Sequence, residues 1–199
     1  KSSSHFFLSV INNQFNTLWA VTIIILGSPT GIAIFNLANQ VLKAGMGITE
    51  LIGRVIRQST FTKNNIHLWK ILNFVFFIYF FITLISIFLT QDILSFLLID
   101  AYLNYEIVFQ MIILVWFFNA IFKILSYAFL TRYLNIEIAN QISIKAGLVH
   151  IISVLLWLIV ATQYSVTSIV LFMLISCLLQ IIVLLIYIKL NTHKFIINN

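Results

Sequence analysis

Asn36, Gln40, Lys43, Gly47, Glu50 and Arg54 recur at alternating steps of four and three. At ~100° per residue, that spacing holds all six within a helical stripe about 80° wide. The chemistry these residues offer is binding rather than bond breaking: amides donate and accept hydrogen bonds, and an ammonium attracts anions. The stripe runs along an otherwise apolar stretch, so it cannot face lipid and must meet other helices or a water-filled cavity. Glu50 and Arg54 stand at i and i+4 with the acid first, the better order for a pair on one helix, and Arg54 can also reach an interface. Lys43 lies some thirteen residues from the start of the stretch, or ~20 Å at ~1.5 Å per residue, near the middle of an apolar layer. It needs an anionic partner, water or a ligand, and an acid on a helix beyond this chain would also serve.

A second stripe, about 100° wide, collects Trp116, Asn119, Lys123, Ser126 and Tyr127. Lys123 is about two turns from the end of its span, so snorkelling competes with a binding role. Near the start of the chain, Ser9, Asn12, Asn13 and Asn16 share one broad face, suited to interhelical hydrogen bonds or to a pore lining. Catalytic signatures are missing: His5, His67, His150 and His193 are scattered, and no His-Glu-x-x-His, Walker-type loop or Gly-x-Ser-x-Gly elbow occurs. No enzyme, catalytic residue, metal site or cofactor is expected. His150 reads as a packing histidine. Asp92, Asp100 and Glu106 read as solvated acids near an interface rather than as a catalytic pair.

The elements that must position these residues follow from composition. Hydrophobic residues make up 62% of the chain and charged residues 8%, with a mean hydropathy of +1.10, against roughly a quarter charged in soluble domains. Apolar spans fall near 6–26, 30–56, 68–91, 107–130, 142–162 and 166–189. Each approaches or exceeds the ~20 residues that cross a ~30 Å layer as a helix. Continuous apolar runs rule out the alternating strands of a membrane barrel. The expectation is an all-α, polytopic bundle of about six transmembrane helices over 1–190 with a short tail, 191–199. Connections at 27–30 and 163–165 predict tight hairpins, and the mixed segment 91–106 predicts an interfacial bend.

Of the eleven Lys and Arg residues, Lys1, Arg54, Arg57, Lys63, Lys70, Arg132, Lys145, Lys189 and Lys194 mark every second connection, and the intervening connections have none. The asymmetry places both termini on the cytoplasmic side of a cell membrane. It also accounts for the net charge of +6 without a nucleic-acid partner. Cys177 is the single cysteine, so no internal disulfide can form. The absence of an initiator Met at Lys1, and the asparagines interrupting the first span, read as a cut through a longer protein rather than as a signal peptide.

The order of these features resembles the polysaccharide and O-antigen flippases of the multidrug, oligosaccharidyl-lipid and polysaccharide exporter superfamily. The matching stretches are the Lys-x-x-x-x-Phe-Phe opening at Lys1 to Phe7, the helix GIAIFNLANQVLKAGMGITELIGRVIRQS, then ILSFLLIDAYLNYEIV, YLNIEIANQISIKAG and the closing IYIK. They span nearly the whole chain, departing at Asp100, where the family often has glycine. The resemblance implies the second of two helical bundles around a cavity that opens alternately to each side, with an N-terminal bundle of the same protein missing here. It implies that Lys43, with Lys123, attracts the diphosphate of a polyprenyl-linked oligosaccharide, that Asn12, Asn16, Asn36 and Gln40 bond sugar hydroxyls, and that Glu50 is a candidate for a coupling proton or Na⁺. Two other classes stay open. One is a structural membrane subunit whose stripes are helix contacts; the other, a membrane glycan polymerase, lacks the Arg- or His-bearing outer loop it would need.

Overall fold

The computed structural model describes residues 29–60, 65–97, 105–133, 136–160 and 165–196, and within them every element is an α-helix. In chain order these are α1 (Pro29–Thr60), α2 (Asn65–Phe88), α3 (Thr90–Leu97), α4 (Glu106–Tyr133), α5 (Ile136–Val160) and α6 (Val166–Ile196). The span expected at 6–26 lies outside the described residues.

Local chemistry explains the helix limits. Pro29 opens α1 at the first helical position, where its missing N–H costs nothing. Ser165 caps α6: its Oγ accepts from the Ser168 N–H at 3.2 Å, and its carbonyl accepts from the Ser168 hydroxyl at 2.8 Å. Of the interfacial bend expected at 91–106, residues 91–97 are helical and 98–104 lie outside the described residues. The Leu89 N–H still donates to the Ile85 carbonyl and the Ile93 N–H to the Leu89 carbonyl, both at 2.9 Å, so the hydrogen-bond ladder runs on to Leu97. Thr90 Oγ1 donating to the Ser86 carbonyl at 2.7 Å marks the junction, a back-bond of the kind that perturbs a helix without ending it.

Among the described residues, three helices are long and apolar enough to cross a membrane: Lys70–Phe88, Glu106–Ser126 and Val166–Tyr187, with mean hydropathies of 2.5, 2.1 and 3.1. In α5, Ile151–Val160 is apolar among the described residues. Although α1 has 32 residues, its polar stripe keeps it out of this set.

α4 is the axis of the bundle, packing against α1, α2, α3, α5 and α6. Between Val108 and Ser126 every one of its side chains is buried or half-buried, which is why this helix is apolar nearly all round. α2 is peripheral. Among its described side chains, Leu72, Tyr79 and Thr83 form a buried line that continues to Thr90 in α3, while Phe74, Phe77, Phe80, Phe81, Ile82, Ile85 and Phe88 face outward. An apolar surface of this extent suits lipid rather than water.

Two apolar cores stack along the bundle. Near the start of α1, Ile34, Phe35 and Ala38 pack with Val108, Phe109, Ile112, Trp157, Ile169 and Met173; near its end, Ile56 packs with Leu72, Ala120, Phe122, Ile124 and Leu184. Between them α1 and α4 approach closely at Gly45. A Cβ at Gly45 would come 2.5 Å from Trp116 Nε1 and 2.7 Å from Cε2. The Trp116 ring in turn stacks at a tilt on Tyr79, with centroids 5.4 Å apart. We expect Gly45→Ala to destabilise the complete protein in detergent by ~1–3 kcal/mol, as overpacking does, and Trp116→Leu to restore part of the loss. Thermal unfolding of the single and double variants checks this; an unchanged midpoint for Gly45→Ala would mean that the helices separate freely.

Candidate functional site: the polar face of α1 and its ion pair with α4

The packing of α1 sorts its residues into three faces. Ile34, Phe35, Ala38, Thr49, Gly53 and Ile56 are buried against the bundle. On the opposite side Asn36, Gln40, Lys43, Gly47 and Arg54 are all exposed. Ala33, Ala44, Ile48, Leu51 and Val55 make an exposed apolar flank next to that polar stripe. At ~100° per residue the buried face and the stripe are centred roughly 150° apart, so one rotation of the helix satisfies both.

Glu50 sits on the edge of the stripe nearest the buried face and is half-buried. Its Oε1 accepts from Lys123 Nζ of α4 at 2.9 Å. The i,i+4 spacing predicts Arg54 as the partner of Glu50, but the ion pair runs to Lys123 instead. Arg54 lies in the middle of the stripe and is exposed, turned away from α4. The register favours the observed pair, since Glu50 and Lys123 each stand ten residues before the end of their parallel helices, 60 − 50 and 133 − 123. A shared depth of that kind can be read from sequence once two helices are known to be neighbours and parallel.

Other polar residues hold the helices together rather than face solvent. The Tyr79 hydroxyl donates to Thr49 Oγ1 at 3.0 Å, and Thr49 donates to the Gly45 carbonyl at 3.0 Å. Asn119 is buried and hydrogen-bonds the buried thiol of Cys177. Trp116 Nε1 and Ser126 Oγ, on the same stripe of α4, are buried without a hydrogen-bond partner among the described residues. Thr49 and Tyr79 are the residues that stripe-based reasoning passes over, because a lone Thr and a lone Tyr on apolar helices carry no periodic signal.

The arrangement therefore separates the expected site residues. Asn36, Gln40 and Lys43 share an open face, Lys123 is held by Glu50, and Asn12 and Asn16 lie outside the described residues, as do the side chains of Tyr127 and His150. Four cations, Arg54, Lys70, Lys145 and Lys189, are carried at one end of the bundle, while Asp92 and Glu106 are at the other. Lys145 Nζ lies over the Tyr187 ring, 5.0 Å from its centroid, and Glu106 accepts from Gln110 at 2.7 Å.

A double-mutant cycle combining Glu50→Gln with Lys123→Met should give a coupling of about 0.5–1 kcal/mol, in the range of partly exposed pairs and membrane hydrogen bonds. The same cycle with Arg54→Met should give close to none. Unfolding of the four-variant sets measures both, and the larger coupling on Arg54 would reverse the assignment of the pair.

Comparison with protein-family models, with curated proteins and with solved structures finds no match to the chain.

Proposed function

We propose that this chain is one helical bundle of a membrane transporter that moves a polyprenyl-diphosphate-linked oligosaccharide across the cytoplasmic membrane, in polysaccharide or O-antigen biosynthesis. The observation that carries this reading is the open polar face of α1. Asn36, Gln40 and Lys43 are exposed on a helix whose opposite face is packed into the bundle, in a protein with three membrane-length helices among its described residues. A cation and amides at that depth are strongly disfavoured against lipid, so the face calls for water, a ligand or another set of helices.

A water-lined cavity shared with an N-terminal bundle of the same protein supplies all three. Lys43 then lowers the barrier to carrying a diphosphate through the apolar layer, and Asn36 and Gln40 bond sugar hydroxyls as the cargo passes. Asn12 and Asn16 belong to the same proposed lining. No bond is made or broken; the cargo is exchanged between two openings of one cavity. The membrane lipids and the lipid-linked cargo are the partners in this reading.

Lys43→Ala in the complete protein should abolish transfer of the lipid-linked glycan while leaving insertion and abundance intact. Lys43→Cys should react with a membrane-impermeant maleimide from at least one side. Normal transfer in the first variant removes Lys43 from the mechanism. Full protection of the second, with transfer lost, would favour a structural subunit whose stripe is a helix contact.

A further inference from the structure

α1 runs as one helix from Pro29 to Thr60, and no described residue has a positive φ. Its two halves are anchored separately: Ile34, Phe35 and Ala38 belong to one apolar core, Ile52 and Ile56 to the other. Between Ala38 and Ile52 no described residue of α1 joins either core. The helix is weakest in the same interval. Gly45 and Gly47 each destabilise a helix interior relative to Ala. The Thr49 hydroxyl donates back to the Gly45 carbonyl at 3.0 Å, a bond that competes with the backbone ladder and favours bending. The Tyr79 hydroxyl, donating to Thr49 Oγ1 at 3.0 Å, leaves the Thr49 proton for that carbonyl.

Against this interval lies a buried donor without an acceptor. Trp116 Nε1 is enclosed and bonds to no acceptor among the described residues. It is also the atom nearest to where a Cβ of Gly45 would stand, at 2.5 Å. A buried N–H left unpaired costs free energy, so its retention requires a reason. The backbone acceptors beside Gly45 are the carbonyls of Val41 and Leu42, one turn earlier, and in a regular helix the N–H groups of Gly45 and Met46 hold them. In an apolar layer, a helix weakened by glycine opens only where a neighbouring helix takes up the backbone groups set free. Trp116 brings the required donor to that point.

We infer that α1 carries a bending joint at Gly45 to Gly47, and that the Trp116 indole N–H is the reserve donor that bonds the Val41 or Leu42 carbonyl when the joint bends. Opening the ladder on the Gly45 side makes that side convex. Gly45 stands ~180° from Asn36 and Arg54, so the helix bends toward the polar stripe. There Gly47 brings no side chain to crowd the inner side, and a Cβ added to it would meet nothing within 4 Å. The bend re-aims Asn36 and Gln40 against Glu50 and Arg54, and it shifts Glu50 relative to Lys123. The joint goes beyond the transport reading and stands without it.

The test places spin labels at Asn36→Cys and Arg54→Cys in the complete protein in nanodiscs and reads their separation by double electron–electron resonance. Both positions are exposed on the inner side of the bend, and Cys177 is buried. They are eighteen residues apart, or ~27 Å along a straight helix. The doubly labelled parent should show two populations, one straight and one shorter by several ångströms. Gly47→Ala, whose methyl group meets no neighbour, should deplete the shorter population about fivefold. Replacing Trp116 with benzothienylalanine, which keeps the shape of the indole and exchanges its N–H for sulfur, should deplete that population on the order of fivefold. The same replacement should raise the thermal midpoint, because the straight form loses an unpaired buried donor. A single separation in the parent overturns the joint. Populations unchanged by the sulfur isostere, even with a higher midpoint, would make the unpaired N–H a plain cost of packing and overturn the inference as well.

Discussion

A helix in an apolar layer can carry charge only where another helix, water or a ligand receives it. That condition fixes how α1 is rotated in this bundle, and the rest of the architecture follows from the rotation. Ile34, Phe35, Ala38, Thr49 and Ile56 go to the core, the stripe from Asn36 to Arg54 goes to the open side, and Glu50, on the boundary, meets α4. Turning the helix by one residue position, ~100°, would bury Lys43 against apolar side chains or push Phe35 and Ala38 out of the core.

α4 faces the same condition with the opposite solution. It is surrounded by other helices, and two of its polar residues are received inside the bundle, Lys123 by Glu50 and Asn119 by Cys177. These contacts, with the Tyr79–Thr49 bond, are set within the apolar cores: Tyr79 and the neighbours of Lys123 belong to one, Cys177 to the other. Without a hydrophobic drive between lipid-solvated helices, packing and interhelical hydrogen bonds carry association. The polar contacts therefore fix which helices are neighbours and at what register, while the apolar side chains around them supply contact area.

Much of the fold was legible in the sequence because the physics behind it is local. The apolar run at 107–130 became α4, Glu106–Tyr133, and the break before Val166 became the start of α6. That α1 carries one continuous polar face was legible too, from the spacing of the stripe. The partner of Glu50 was not. Helical spacing offers Arg54 on the same helix, whereas the choice of Lys123 depends on helix rotation and on α1 and α4 being parallel neighbours, neither of which a single segment encodes. The Gly45–Trp116 contact was hidden for the same reason: a glycine in a helix does not announce which side chain it admits.

Gly45 and Gly47 make the point at the scale of two residues. Two positions turn a helix by ~200°, so these glycines look in nearly opposite directions. Gly45 admits the Trp116 indole so closely that a methyl group would collide with it, while Gly47 borders open space. The first sets the separation of α1 from α4 and so keeps Glu50 within 2.9 Å of Lys123. The second leaves the approach to that pair uncovered from the Lys43 side. Close packing on one face and access on the other are thus coupled through one short stretch of α1, and a change that loosens the first also moves the charges that the second exposes.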